Sequence, residues 1–455
     1  MTHIQLEVPA RKTLAHTRNN QKKVSIFTLG CKVNQYESDA MADQFKHAGY
    51  QVLPYDDLCD YYIINTCTVT SVSDRKSRQF MRRARKRNPQ AVIVVVGCYS
   101  QVAPDQVEAI EEVNLVLGTN EKKDILQYIE GVTSDSKVVH VQEIMKTKTY
   151  EELEIEDTID KTRVFMKIQE GCNQFCSYCI IPYARGPIRS RQVASIIGEA
   201  KRLAAKGFKE LVLTGIHLSS YGLDLGNTSL IEVIEDLNKI EGLERIRLGS
   251  LEPKVITEDF MNRLKELDKF CPHFHLSLQS GCDPILKTMN RKYTTSDYQD
   301  GVDKIRAVYP QAAVTTDIIV GFPGESDDHF QTTLDYVKAI AFSQVHVFKY
   351  SPREGTPAAS MKNQIHGSIK TERSHALEVL VGKLEDAYYQ SFVGKTVRVL
   401  IEEMKEDYVE GLTPEYLRVR LAKESYSVND IVDVEIMGYQ DKKLLAKGIN
   451  CESNC

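Results

Sequence analysis

Two stretches of this chain alternate short β-branched runs with helical segments, and no other feature narrows the fold as far. The first holds "VSIFTLG", "YYIINT", "AVIVVVG" and "VNLVLGT" between residues 24 and about 130, which predicts a small parallel α/β domain. The second begins at Arg163 with "RVFMKIQ" and continues through "ELVLTGIH", "RIRLGSL", "HFHLSLQ", "AVTTDIIVG" and "SQVHVFKY". Six such units predict a partial barrel of parallel strands, in which the loops at the strand carboxyl ends carry function. Residues 131–160 turn acidic and lack strong periodicity, so they read as a connector. After a helical segment over roughly 368–391 come "KTVRVLIEEM", "YVEGLTPEY", "LRVRLAK", "IVDVEIMGYQ" and "KLLAKGI". These are short strands without crossover helices, the mark of a small all-β barrel. The expected fold is α/β with a terminal β-barrel, divided into a flexible tail at 1–22, then 23–130, 131–160, 161–390 and 391–455.

Composition limits the chemistry. No apolar run in the 455 residues approaches the length needed to span a bilayer, so no membrane partner is expected. The opening "MTHIQLEVPARKTLAHTRNNQKK" is basic but lacks the apolar stretch of a secretory signal, which predicts a loose tail and a cytoplasmic location. Eleven cysteines in a chain without an export signal favour metal or redox chemistry over disulfides. The formal net charge is −5, so a nucleic-acid partner must be met by local basic patches rather than a global field.

"CNQFCSYC" places Cys172, Cys176 and Cys179 directly beyond the first strand of the second block. Thiolates are soft ligands that select iron–sulfur clusters, zinc or copper(I). Structural zinc would take a fourth protein ligand, and no further cysteine follows at ferredoxin spacing. Three ligands to a four-iron cluster leave one iron free to bind a substrate or cofactor, and Tyr178 adds an aromatic face beside it. The competing reading is three buried cysteines at a helix start, or an incomplete zinc knuckle. A second trio lies upstream: "FTLGC", "INTC" and "VVVGC" put Cys31, Cys67 and Cys98 immediately after three strands. In a parallel sheet all carboxyl ends share one edge, where open α/β sheets bind ligands. Small buried cysteines at tight junctions would give any one of these placements, but three of three is a pattern. Cys59 precedes its strand and reads as structural, and Cys271 and Cys282 remain over. Cys451 and Cys455 in "NCESNC" are expected as two spare thiols of an unstructured end, the alternative being a metal site or a pair formed under oxidation.

The central spacing, Cys-x3-Cys-x-aromatic-Cys at the first strand of such a barrel, resembles the radical S-adenosylmethionine enzymes. That resemblance implies a [4Fe–4S] cluster whose free iron chelates S-adenosylmethionine, and a 5′-deoxyadenosyl radical as the agent that opens an inert C–H bond. By position on later strands it implies that Thr214 and Gly215 hold the amino acid part of the cofactor. Ser277 and Gln279 would lie near the ribose. The stretch "DIIVGFPGE", with Asp317 and Gly321, would lie near the adenine. Two cysteine trios with a terminal β-barrel further resemble the methylthiotransferases. There the early trio holds an auxiliary [4Fe–4S] cluster, and a small barrel of the TRAM type ends the chain. "TLGCKVNQYES", "INTCTVT", "GCYSQ", "KIQEGCNQFCSYCIIPYARG", "LTGIHLSSYG" and "VGFPGES" are most similar to the branch acting on N6-threonylcarbamoyladenosine at tRNA position 37. The alternative substrates are isopentenyladenosine tRNA or a ribosomal protein. The implied reaction uses one S-adenosylmethionine to methylate sulfur at the auxiliary cluster and a second to remove hydrogen from adenine C2. No general acid or base is identifiable.

An RNA partner needs cations and an accessible base. "DRKSRQFMRRARKRN" packs Arg75, Lys76, Arg78, Arg82, Arg83, Arg85, Lys86 and Arg87 into one predicted helix, read either as a solvated face or as a phosphate contact. "YARGPIRSR" sets Arg185, Arg189 and Arg191 beyond the central trio, where they would meet phosphate or the cofactor carboxylate. Arg398, Arg418, Arg420 and Lys423 with Tyr408 and Tyr416 offer the last barrel cations and rings, but "IEEMKEDYVE" is acidic, so its RNA-binding role is what the resemblance implies. Position 37 lies in the unpaired anticodon loop, where a base is splayed out without breaking a duplex. A reductant such as flavodoxin or ferredoxin, and a monomeric state, complete the expectation.

Overall fold

The computed structural model describes residues 21–156, 162–423 and 426–449. The expected tail, apart from its last two residues, lies outside these, as do Cys451 and Cys455.

Six strands make the first sheet: β1 (Lys23–Thr28), β2 (Gln51–Val52), β3 (Tyr61–Thr66), β4 (Val92–Gly97), β5 (Leu115–Leu117) and β6 (Val138–His140). All pair in parallel, in the order β2-β1-β3-β4-β5-β6. Strands β3 and β4 are buried along their whole length, which is why they read as unbroken apolar runs. Alternate residues feed two cores: Ile63 and Val94 pack with Met41 and Phe45 on one face, Tyr62, Ile64, Ile93 and Val95 with Met81 on the other. Three helices follow strands directly: α1 (Lys32–His47), α2 (Ser71–Arg87) and α3 (Cys98–Val102). One expectation needs correcting. Val138–His140, inside the stretch read as a connector, pairs with β5 and extends the sheet. Three half-exposed residues are too few to show periodicity in sequence.

The second block builds an open barrel. Strands β7 (Arg163–Glu170), β9 (Glu210–Gly215) and β10 (Arg245–Leu248) run parallel, with the two-residue β8 (Arg189–Ser190) antiparallel on the outer edge of β7. Strands β11 (Ser250–Leu251), β12 (His273–Leu276), β13 (Ala313–Val320) and β14 (Gln344–Lys349) continue the curve in parallel. A bridge between Ile246 and Phe270 joins the two halves. Strand alternation decides what faces inward. Val164, Met166, Leu211, Leu213, Phe274, Leu276, Val314 and Val320 turn outward into one apolar core with Ile196, Leu203, Phe260 and Ile305 of the surrounding helices. Their neighbours Arg163, Phe165, Glu210, Arg247, His273, His275, Thr315, Asp317 and His346 therefore line the concave side. Helix α4 (Ile181–Arg185) follows the Cys172–Cys179 loop, and α5 (Gly367–Gln390) packs on β14 and leads to the last domain.

That last domain is a closed five-strand barrel of β15 (Thr396–Met404), β16 (Tyr408–Leu412), β17 (Arg418–Ala422), β19 (Lys443–Gly448) and β18 (Ile431–Gln440). Val399, Ile401, Val409, Val419, Val434, Ile436 and Leu444 fill it. It docks against β7 and β10 of the open barrel, where Arg245 donates to Leu412 O at 2.8 Å and Arg247 to Pro414 O at 2.6 Å. Tyr416, expected on an RNA-facing surface, instead sits against His273, Arg163 and Arg247 of the central domain. Among the described residues, no helix is long and apolar enough to cross a membrane.

Candidate active site

The early cysteines meet because the sheet reverses its strand order between β1 and β3. Cys31 follows β1 and Cys67 follows β3, so they flank the crevice where parallel sheets bind ligands, and Cys98 opens α3 beside them. The glycines before Cys31 and Cys98 are required. Gly30 and Gly97 have φ of +116° and +101°, and a Cβ on Gly30 would stand 2.9 Å from Cys67 Cβ. Around them Asn34 donates to Leu29 O (2.7 Å) and Thr66 O (3.0 Å), locking the first turn of α1 to the sheet edge.

The central cysteines are held by their own loop. Cys172 N donates to Gly186 O at 3.0 Å, Ser177 N to Met289 O at 2.9 Å, and Ala358 N to Ser177 O at 2.8 Å. Tyr178 is half-buried against Phe322, and burial pushes its hydroxyl well above the ordinary range.

Burial also raises the thiols, that of Cys67 to about 12, Cys172 to about 11 and Cys179 to about 12. Cys98 lies close enough to raise Cys31 and Cys67 further, and Cys176 does the same to Cys172 and Cys179, so each trio forms one electrostatic unit. Neither gathers its sulfurs tightly enough to clasp a single ion. Among the described residues only His275, Asp317 and His346 do, with ligand atoms within 4.8 Å. Those three already form an internal network, His275 bonding Thr315 Oγ1 at 2.9 Å and Asp317 Oδ2 at 3.3 Å. Donors point at sulfur in both trios. Arg185 Nε lies 3.1 Å from Cys98 Sγ, Arg291 Nη1 3.3 Å from Cys176 Sγ, and the Gln174 amide 3.5 Å from Cys172 Sγ. Spread thiolates with N–H donors on their sulfurs fit a multinuclear anionic cage, not a lone cation.

Two buried charge networks stand behind these donors. Arg185 on α4 pairs with Glu37 of α1 and with Glu170 of β7, while Lys167 meets the same two carboxylates at 3.1 and 3.0 Å and Lys122 reaches Glu37 at 3.4 Å. Burial alone would raise Glu37, but Arg185, Lys122 and Lys167 together hold it well below the usual carboxylate range. Glu170 is lowered likewise, burial being outweighed by Arg185 and Lys167. Beside the central trio, Arg291 pairs with Glu252 at 3.0 Å, and Glu252 with His217 at 3.2 Å. Arg291, Glu252, His217 and Glu37 have no role that their sequence neighbourhood announces. Of the four, Glu37 and His217 fall inside stretches that carry the family resemblance, "TLGCKVNQYES" and "LTGIHLSSYG".

Several sequence-based assignments change. Arg185, Arg189 and Arg191 are fully buried and cannot reach an RNA backbone. Arg191 pairs with Glu199 and Glu152, and Arg189 donates to Arg185 O at 3.1 Å. In α2, Arg75, Arg82 and Arg83 are exposed, with Arg82 near Glu112 (3.9 Å) and Arg83 near Asp56 (3.8 Å). Arg78 turns inward to Tyr99 Oη at 2.9 Å, bracing the residue after Cys98. Arg85 ties the helix end to Ala91 O and Asn114. Of the cofactor residues, Thr214 and Gly215 end β9 as expected, and Ser277 and Gln279 follow β12, where Gln279 takes φ +72° and bridges to Ile318. Asp317 lies inside β13, not at its rim, and faces His275. Gly321 has φ +69°, but the space its missing side chain leaves is filled by Lys370 of α5, whose Cγ would be 2.3 Å from a Cβ. Cys59 packs in the core with Tyr62 and Met81, and Cys271 and Cys282 are buried.

Comparison with known proteins matches this layout. The Radical SAM superfamily model covers residues 166–337, and that of Uncharacterized protein family UPF0004 covers 23–118. The threonylcarbamoyladenosine tRNA methylthiotransferase MtaB of Bacillus subtilis (strain 168) is 41% identical over 421 residues, spanning 91% of this chain and 93% of that protein. The chain belongs to the tRNA methylthiotransferases. The protein of the same name from Aquifex aeolicus (strain VF5) is 42% identical across 85% of this chain and 96% of its own. The tRNA-2-methylthio-N(6)-dimethylallyladenosine synthase of Clostridium tetani (strain Massachusetts / E88) is 35% identical over 92% and 95%. Among solved structures, the radical S-adenosylmethionine methyltransferase TsrM of Kitasatospora setae shares the fold, at TM-score 0.53 and 15% identity over 74% of this methylthiotransferase and 77% of that chain. As a radical SAM methylthiotransferase the chain uses two [4Fe–4S] clusters and S-adenosylmethionine.

Proposed function

We propose that this chain methylthiolates C2 of N6-threonylcarbamoyladenosine at position 37 of tRNA, with Cys31, Cys67 and Cys98 holding the auxiliary cluster and Cys172, Cys176 and Cys179 the radical-generating one. The observation that carries the reading is the short path between the two trios. Arg185, six residues past Cys179, places its Nε on Cys98 Sγ, and Thr119 Oγ1 donates to Ala184 O at 2.8 Å. The group that Cys172, Cys176 and Cys179 would hold would supply, once bound, the one-electron chemistry that activates S-adenosylmethionine. The chain's own residues do the rest by position. Arg291 and the Gln174 amide shield the sulfurs of Cys176 and Cys172, while Arg185 fixes the early trio against the barrel. Tyr178, Thr214, Gly215, Ser277 and Gln279 surround the strand ends where S-adenosylmethionine is held. Arg75, Arg82 and Arg83 neutralise tRNA phosphates, and the closed barrel is an RNA-binding domain of the TRAM type. The enzyme works as a cytoplasmic monomer fed by flavodoxin or ferredoxin.

Nucleoside mass analysis of defined tRNAs tests this. Reconstituted, reduced protein is expected to convert threonylcarbamoyladenosine to its 2-methylthio form and release 5′-deoxyadenosine. Methylthiolation of dimethylallyladenosine alone would overturn the substrate, and no 5′-deoxyadenosine would overturn the chemistry.

A further inference from the structure

Charges on the concave side of the open barrel are mostly matched. Arg247 pairs with Glu210 at 2.7 Å, Arg163 with Glu402 and with Tyr416 Oη at 3.0 Å, and His275 with Asp317 at 3.3 Å. Lys32 is the exception. It is the residue after Cys31, it is half-buried, and its ammonium lies 5.5 Å from the Phe165 ring and 5.7 Å from the Tyr416 ring. Among the described residues it has no hydrogen-bond or salt-bridge partner; the carboxylate whose charge it feels, Glu210, is already paired with Arg247, and its own charge is felt at His273 and His346 across the barrel.

A cation set among aromatic faces, lacking a carboxylate of its own, suits a flat ring that carries an anion. The half-buried Phe165 ring offers the base a face, Tyr416 being already covered by His273, Arg163 and Arg247, and the ammonium donates a charge-assisted bond to the substituent. An apolar substituent there would leave the ammonium desolvated and unpaired.

We propose that Lys32 determines substrate choice by pairing with the carboxylate of the threonyl group on N6 of the adenosine. This rests on the threonylcarbamoyl reading above and adds the residue that reads it.

The test uses full-length reconstituted enzyme and three anticodon stem-loops, bearing threonylcarbamoyladenosine, its threoninamide analogue, or dimethylallyladenosine. Methylthiolation kcat/KM is measured for wild type, Lys32→Met and Lys32→Arg, with iron content determined for each. Wild type is expected to favour the carboxylate over the amide by about 10- to 150-fold, the range for a hydrogen bond to a charged group. Lys32→Met should bring that ratio close to one, mainly through KM, and Lys32→Arg should keep part of it. A wild-type ratio near one overturns the proposal whatever the variants do, as does a Lys32→Met enzyme that keeps the wild-type ratio. If wild type acts on dimethylallyladenosine and on neither threonyl substrate, the substrate reading falls, and the role of Lys32 falls with it.

Discussion

Cys172, Cys176 and Cys179 share one loop, pinned by neighbouring turns, whereas Cys31, Cys67 and Cys98 come from three strand ends that only a folded sheet brings together. Each trio has one nearly buried arginine on one sulfur, Arg291 on Cys176 and Arg185 on Cys98. Their surroundings differ. Arg291 answers to one carboxylate, Glu252, near the barrel mouth, while Arg185 sits among Glu37, Glu170, Lys167 and Lys122 where two domains meet. A local site can be loaded by a loop. A dispersed one depends on the integrity of a domain interface, and here that interface is ionic.

The largest expected effect separates the two trios by chemistry. Replacing Cys172, Cys176 and Cys179 with Ala should abolish 5′-deoxyadenosine release and leave about four of about eight irons. Replacing Cys31, Cys67 and Cys98 should also halve the iron but spare cofactor cleavage while blocking methylthio transfer. An iron count of about four in the unaltered protein would break the comparison outright.

Next in size is stability. Arg185→Met leaves Glu37 and Glu170 short of a buried counter-charge and should cost about 3–5 kcal/mol in chemical denaturation of the cluster-free chain. Arg291→Met, with a single carboxylate partner, should cost about 1–3 kcal/mol. Equal costs would mean that the interface network adds nothing.

A smaller effect follows from pH. Glu37 and Glu170 are held below the ordinary carboxylate value of 4.5, so their contribution is complete above that value. It is lost as pH falls through their lower folded values, where protonation removes the attraction to Arg185 and Lys167. Denaturation midpoints should therefore drop below pH 4.5, and Arg185→Met should show a shallower drop. The smallest change is at the surface. Arg82→Gln with Arg83→Gln should lower the salt slope of tRNA binding by roughly one for each phosphate left without its cation.

The hydrophobic pattern located the longer strands of the two parallel blocks because these are built of buried, β-branched runs. All five strands of the last barrel were legible in their alternation. Gln51–Val52, Val138–His140 and Arg189–Ser190 were not, being only two or three residues long. Among the candidate site residues, the early cysteines stand out because three strands are each followed by one, a repetition that the packing of small buried thiols would not by itself produce. Arginines were misread. "YARGPIRSR" has the look of a basic patch, yet Arg185, Arg189 and Arg191 are core residues, and the carboxylates that pair with Arg185 and Arg191 (Glu37, Glu170, Glu152 and Glu199) all lie outside that stretch. A charge count cannot see a salt bridge that long-range packing makes.

What the amino-acid order settled by itself was local: which long apolar runs are strands, and that a thiol waits at six of their ends or loops. What only the folded chain decided was pairing. The strand order puts β1 beside β3 and so joins Cys31 to Cys67, and the docking of α1 on β7 turns isolated charges into one network while leaving Lys32 without a partner among the described residues. Strand and helix preferences act over a few residues. Proximity across domains is set by which apolar faces and which ions the whole chain can bury together.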